Sequence, residues 1–115
     1  MEALSRKRHI RVTPRKMRAV ADLIRGKKCN EALSILKFVP KAGSPHLAKA
    51  VKSAVASAVE TAGDVKADPD TLRISEIRVD EGIIMKRFRP RARGRADRRL
   101  KRTSNLLVRV SDQAK

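Results

Sequence analysis

Charge limits what this chain can fold into more than any other feature, because it is confined to two segments. Residues 1–28 hold ten Lys or Arg against two acids, and residues 86–102 hold ten against the single acid Asp97. Between them, residues 29–85 carry seven Lys or Arg against eight acids, the near balance of an ordinary solvated surface. The middle can build a compact body, whereas crowded like charges strain any packing of the flanks unless an anionic partner neutralises them. Over 115 residues the sum is +17. Leu, Ile, Val and Phe total 28 residues, about a quarter of the chain and above the roughly 20% below which a highly charged chain stays disordered. One small core is therefore expected, in a single domain spanning residues 1–115.

The apolar spacing places the elements. A strand is expected near residues 4–12. Thr13-Pro14 reads as an N-cap followed by proline at the first helical position. Met17, Val20, Ala21 and Ile24 then follow at helical spacing with Leu23 beside them, and Gly26 supplies the stop. A short second helix is expected from Asn30 as cap, through Ala32, Leu33, Ile35 and Leu36, ending before Pro40. Ser44-Pro45 repeats the cap-plus-proline signature. The third helix carries Leu47, Ala50, Val51, Ala54, Val55, Ala58 and Val59, is expected to end at Gly63, and reads as the central helix.

After an acidic turn over residues 64–70 the period changes to two. Leu72 and Ile74 alternate with polar residues, the phase slips near Glu76, and Ile77 and Val79 resume it, which predicts a strand with a bulge. Leu106, Val108 and Val110 alternate on the far side. Two strands enclosing a basic stretch centred near residue 92, with Pro90 and Gly94 as turn residues, predict a hairpin. Fourteen residues from Leu72 to Met85 at about 3.3 Å each span roughly 45 Å, against a radius of gyration of about 13 Å for a compact chain of this size. The hairpin must protrude, as an extended arm over residues 83–103. Its far half has no core and should be mobile until a partner orders it. The expected class is α+β: a small globular body of about three helices on a short antiparallel sheet, with a long basic β-hairpin.

Phosphate backbone is the partner that rewards this composition, since each neutralised phosphate releases a counterion. Within residues 86–102 arginine outnumbers lysine eight to two, and its planar fork binds phosphate bidentately and stacks on bases. The N-terminal candidates are Arg6, Lys7, Arg8, His9 and Arg11 on the first strand, Arg15, Lys16, Arg18 and Arg25 on the first helix, and Lys27 and Lys28 after it. On the arm they are Lys86, Arg87, Arg95, Arg98, Arg99, Lys101 and Arg102. With no Trp, no Tyr and two Phe the chain lacks the stacking platforms of single-strand readers, so shape and phosphate recognition is expected instead. An architectural DNA-bending protein with a basic arm is the alternative. Such arms work in pairs on a dimer, and the modest aliphatic content leaves little surface for one, so a monomer is expected in isolation.

Other classes find little support. His9 and His46 have no paired base or nucleophile at a recognisable spacing, so no enzyme is expected. His46 reads as a surface residue. Asp64, Asp68 and Asp70 lack the glycine and closing glutamate of a calcium loop and read as a solvated turn, so no metal or other cofactor is expected. Cys29, the single cysteine, reads as a packing residue just before a helix and fits a reducing cytosol. No apolar run reaches membrane-spanning or signal-peptide length, and no membrane partner is expected.

Several runs also carry a resemblance. They are Thr13-Pro-Arg-Lys, Val20-Ala-Asp-Leu-Ile-Arg-Gly-Lys-Lys28, Val79-Asp-Glu-Gly82, Met85-Lys-Arg, Pro90-Arg-Ala-Arg-Gly-Arg-Ala-Asp97 and Lys101-Arg-Thr-Ser104. Together the sequence resembles the family of the bacterial twenty-second protein of the large ribosomal subunit over essentially its whole length. The resemblance implies a cytoplasmic ribosomal protein that binds large-subunit ribosomal RNA and neighbouring ribosomal proteins and acts early in assembly. It also implies an arm whose tip (Phe88, Arg89, Pro90, Arg91, Ala92 and Arg93) lines the nascent-peptide exit tunnel and meets the nascent polypeptide. The family usually has His after Thr103-Ser104; this chain has Asn105.

Overall fold

The computed structural model describes residues 2–61 and 71–111. In chain order the elements are strand β1 (Glu2–Ile10), helices α1 (Pro14–Ile24), α2 (Cys29–Phe38) and α3 (Ser44–Thr61), strand β2 (Arg73–Pro90), a single 3₁₀ turn (Ala92–Gly94) and strand β3 (Ala96–Ser111). The sheet is antiparallel with order β1-β3-β2, so the last strand lies in the middle. The class is α+β, as the sequence implies.

Helical spacing and strand alternation meet in one core. From α1 come Met17, Val20, Ala21 and Ile24, from α3 Leu47, Ala50, Val51, Ala54 and Ala58, and from the sheet Ile74, Ile77, Val79, Leu106, Val108 and Val110. Each fully buried Met, Val, Leu or Ile side chain contributes about 1.5–3 kcal/mol. Helix α3 packs on β1, β3 and α2, and α1 packs along β2 and β3. The expected slip in β2 is present: Ile74 pairs with Val110 and Glu76 with Arg109, leaving Ser75 extra. That bulge puts Ile74 and Ile77 on one face although they are three residues apart.

The β2–β3 ladder continues past the core to Pro90↔Ala96. Every residue from Lys86 to Arg102 is exposed, and the molecule measures 67 × 25 × 20 Å with a radius of gyration of 17.4 Å. A compact chain of this length would have about 13 Å; the difference is the paired extension. The backbone N–H of Arg91 donates to the Arg95 carbonyl and closes the tip, while Arg93 and Gly94 take φ of 62° and 72°.

Several boundaries differ from expectation. Helix α2 starts at Cys29, with Lys28 as its cap, because the Cys29 N–H is taken by the Leu72 carbonyl at 3.0 Å; Asn30 sits inside the first turn. Cys29 is buried, and burial pushes its thiol up to about 11, which suits packing and not reactivity. Thr13 holds the cap position of α1 without a side-chain cap bond. Helix α3 starts one residue before Pro45, and the Gly43 carbonyl accepts from Leu47 N–H at 3.0 Å. His46 is half-buried, not on the open surface, and Val59 is exposed. Gly63 and the acidic turn lie outside the described residues.

Candidate nucleic-acid interface

The first strand ends where the sheet narrows from three strands to two. Lys7 pairs with Leu106 and Ile10 with Ser104, so Arg8 and His9 together face Asn105. The extra residue is absorbed by His9, whose φ is 59°, and the His9 N–H donates to Asn105 Oδ1 at 3.3 Å. On the other flank Glu81 pairs with Ser104 and Ile84 with Arg102, a second bulge at Gly82 and Ile83. Thr103 Oγ1 donates to the Ile83 carbonyl at 2.7 Å, and Ser104 Oγ donates to the Val12 carbonyl as the chain crosses β3. Three successive residues of β3 thus fasten both neighbours at the root of the extension.

This crossing brings the two basic segments together. Arg11 and Lys16 from the first line a concavity of about 510 Å³ with Arg99, Lys101 and Arg102 from the second, and its lining also includes the apolar Val12, Met85 and Leu100. Beyond it the register places Arg87 opposite Arg99, Met85 opposite Lys101, Phe88 opposite Arg98 and Ile84 opposite Arg102. Directly opposed residues share a face, so both faces of the extension are cationic. Arg87 against Arg99 is a like-charge pair, unfavourable by itself. Asp97 forms an ion pair with Arg91 at 2.7 Å and holds the turn. Phe88 is 70% exposed beside it.

Other candidates have different settings. Arg18 donates to the Val79 carbonyl and Arg25 to the Ile77 carbonyl, so both serve the edge of β2. Lys27 and Lys28 bridge to the start of β2, at the end farthest from the tip, through Ile74 N–H to the Lys27 carbonyl and the Lys28↔Arg73 bridge. Arg15 is exposed on α1. Arg6 and Arg8 line a shallow depression with Arg78 and Asp80, and Lys7 Nζ donates to His46 Nδ1 at 3.2 Å. Arg95 follows the tip turn as its C-terminal cap. Sequence reasoning missed Ile83 and Met85, which alternate with Arg87 along one strand face; the apolar pair Ile83-Ile84 inside a charged arm was the available signal.

The family profile described as "Ribosomal protein L22p/L17e" matches residues 5–111. Among curated proteins, "Large ribosomal subunit protein uL22" of Pelotomaculum thermopropionicum (strain DSM 13744 / JCM 10971 / SI) is 51% identical over 113 residues, covering 98% of this chain and 97% of that protein.

Proposed function

The chain belongs to the L22p/L17e family of ribosomal proteins, and from that premise we propose that it binds and organises large-subunit ribosomal RNA with its arm and the adjoining face of its body. Its family makes it a structural part of the large subunit of the cytoplasmic ribosome, and on this reading it carries no catalytic role. The observation that carries the RNA reading is the exposed two-stranded ladder with ten cations, one acid and Arg87 set against Arg99. Such a ladder is relieved by phosphates on both faces, which suits an arm threaded between RNA segments. Arg11, Lys16, Arg99, Lys101 and Arg102 grip the entry; Arg95 and Arg98 continue inward.

The tip, residues 88–93, lines the exit tunnel and meets the nascent chain, a reading supported by the arm's reach and by the family resemblance. Neighbouring ribosomal proteins pack on the body, and outside the ribosome the chain is a monomer. The test of RNA binding is a salt titration with large-subunit RNA. With about 6–10 phosphate contacts the affinity should fall on the order of 10³-fold or more between 50 and 200 mM salt; a nearly flat response would overturn the reading. For the tip, ribosomes lacking residues 88–93 should assemble yet change tunnel-antibiotic sensitivity or peptide stalling. Unchanged behaviour in both would overturn that assignment.

A further inference from the structure

At the root of the arm lies a second concavity, of about 390 Å³, lined by His9, Arg11, Ile83, Met85, Arg87 and Thr103. Its construction is unusual in three ways. His9 is one of two non-glycine residues with positive φ among the described residues, a conformation that costs on the order of 1–3 kcal/mol and persists where surrounding structure enforces it. Bulges on both neighbours of β3 meet at this level, and bulges re-aim side chains. Ile83 is 61% exposed in a segment otherwise dominated by charge.

We propose that this concavity seats one unpaired nucleotide of the ribosomal RNA, its base laid against His9, Ile83 and Met85 and its phosphate held by Arg11 and Arg87. The inference rests on the RNA-binding reading above and adds a base contact to it. Ile83, Met85 and Arg87 alternate on one strand face, so an apolar platform runs directly into a guanidinium. The histidine ring is the one aromatic surface among the six lining residues. A base stacks on rings and apolar side chains, and its own phosphate lies within reach of a flanking arginine. A duplex backbone would have no use for the platform, because its bases are already stacked inside.

The test uses the full chain and a transcript of large-subunit RNA, with affinity measured across a salt series. His9→Gly keeps the left-handed backbone, which glycine adopts freely, and removes the ring; Ile83→Ser removes an exposed apolar contact without touching the core. Each should weaken binding by about tenfold and leave the salt slope unchanged. Arg11→Ala and Arg87→Ala should each lower the slope by about one. Ultraviolet cross-linking should attach a single nucleotide to the peptide holding His9 or that holding Met85, and His9→Gly should abolish the former. Parent-like affinity in both His9→Gly and Ile83→Ser, with no nucleotide on either peptide, would overturn the seat while leaving RNA binding intact. Failure of the unsubstituted chain to bind would overturn the RNA reading and the seat with it.

Discussion

Arg18 and Val79 are joined by two hydrogen bonds, Nε at 3.2 Å and Nη2 at 3.0 Å, both donated to the one carbonyl. Val79 lies in β2, an edge strand, and the same edge is served by Arg25 Nη1 at 2.8 Å from the Ile77 carbonyl and by Ile74 N–H to the Lys27 carbonyl at 3.0 Å. The N-terminal segment thus covers an edge that could otherwise add a foreign strand. Arg18→Ala should lower stability by about 1–2 kcal/mol in urea unfolding. Arg18→Lys should recover less than half, because an ammonium cannot present two donors in a fixed fork. A parent-like midpoint for the alanine variant would mean water replaces the pair.

That edge also marks how far the sequence could be read. Helical spacing identified the buried face of α1, and the slip between Ile74 and Ile77 identified the first bulge, because both are imprinted by a core that accepts apolar groups from one side only. The bulges at His9 and at Gly82-Ile83 left no such trace: the inward positions beside them are polar or charged, Ser5 and Lys7 on β1 and Thr103 on β3, so a one-residue slip shifts no apolar alternation. Arg18 and Arg25 read as phosphate-binding candidates, and their edge role depends on the strand order β1-β3-β2, which no local spacing encodes. The meeting of Arg11 and Lys16 with Arg99 and Lys101 depends on the same topology. Asn30 lost the cap position to Lys28 because a long-range bond from Cys29 to Leu72 starts the helix earlier.

Gly82 is required by contact, not by backbone angle. A Cβ there would lie 2.5 Å from Thr103 Oγ1, 3.2 Å from Asn105 Oδ1 and 3.3 Å from the Thr103 carbonyl carbon. Thr103 is buried and bonded to the Ile83 carbonyl, so it cannot move freely. Gly82→Ala should cost about 1–3 kcal/mol, the range of overpacking a filled site. Thr103→Ala removes the nearest atom, so the double variant should be more stable than the sum of the singles predicts. Additive effects in the cycle would place the strain elsewhere.

His46 gives the body a pH dependence. Burial, then the charges of Lys7 and Lys49, hold its imidazole below the ordinary value of 6.5, and its Nδ1 accepts from Lys7 Nζ. The unfolded chain therefore binds a proton more readily than the folded one, and stability rises with pH through that window. The contribution is present above 6.5 and is lost as pH falls toward the lowered folded value. Urea midpoints taken on either side should differ in the parent, and the difference should shrink in His46→Gln. An equal slope in that variant would assign the effect to other groups.

The arm should be separable from the body it extends. Removing residues 87–99 and joining Lys86 to Leu100 through Asn-Gly uses a pair already opposed in the ladder and a two-residue turn suited to hairpins. All the deleted residues are exposed, and the buried cluster from Ile10 to Val110 lies outside them. The fastenings of Thr103, Ser104 and Asn105 are also kept. Thermal unfolding of the shortened chain should stay cooperative and fall within a few degrees of the parent. Its stability should even rise slightly at low salt, because seven cations and one acid leave with the deletion and self-repulsion falls. Affinity for ribosomal RNA should drop with a shallower salt slope, since the phosphate contacts of those cations are gone. Loss of the cooperative transition would show instead that the ladder beyond Lys86 supports the core.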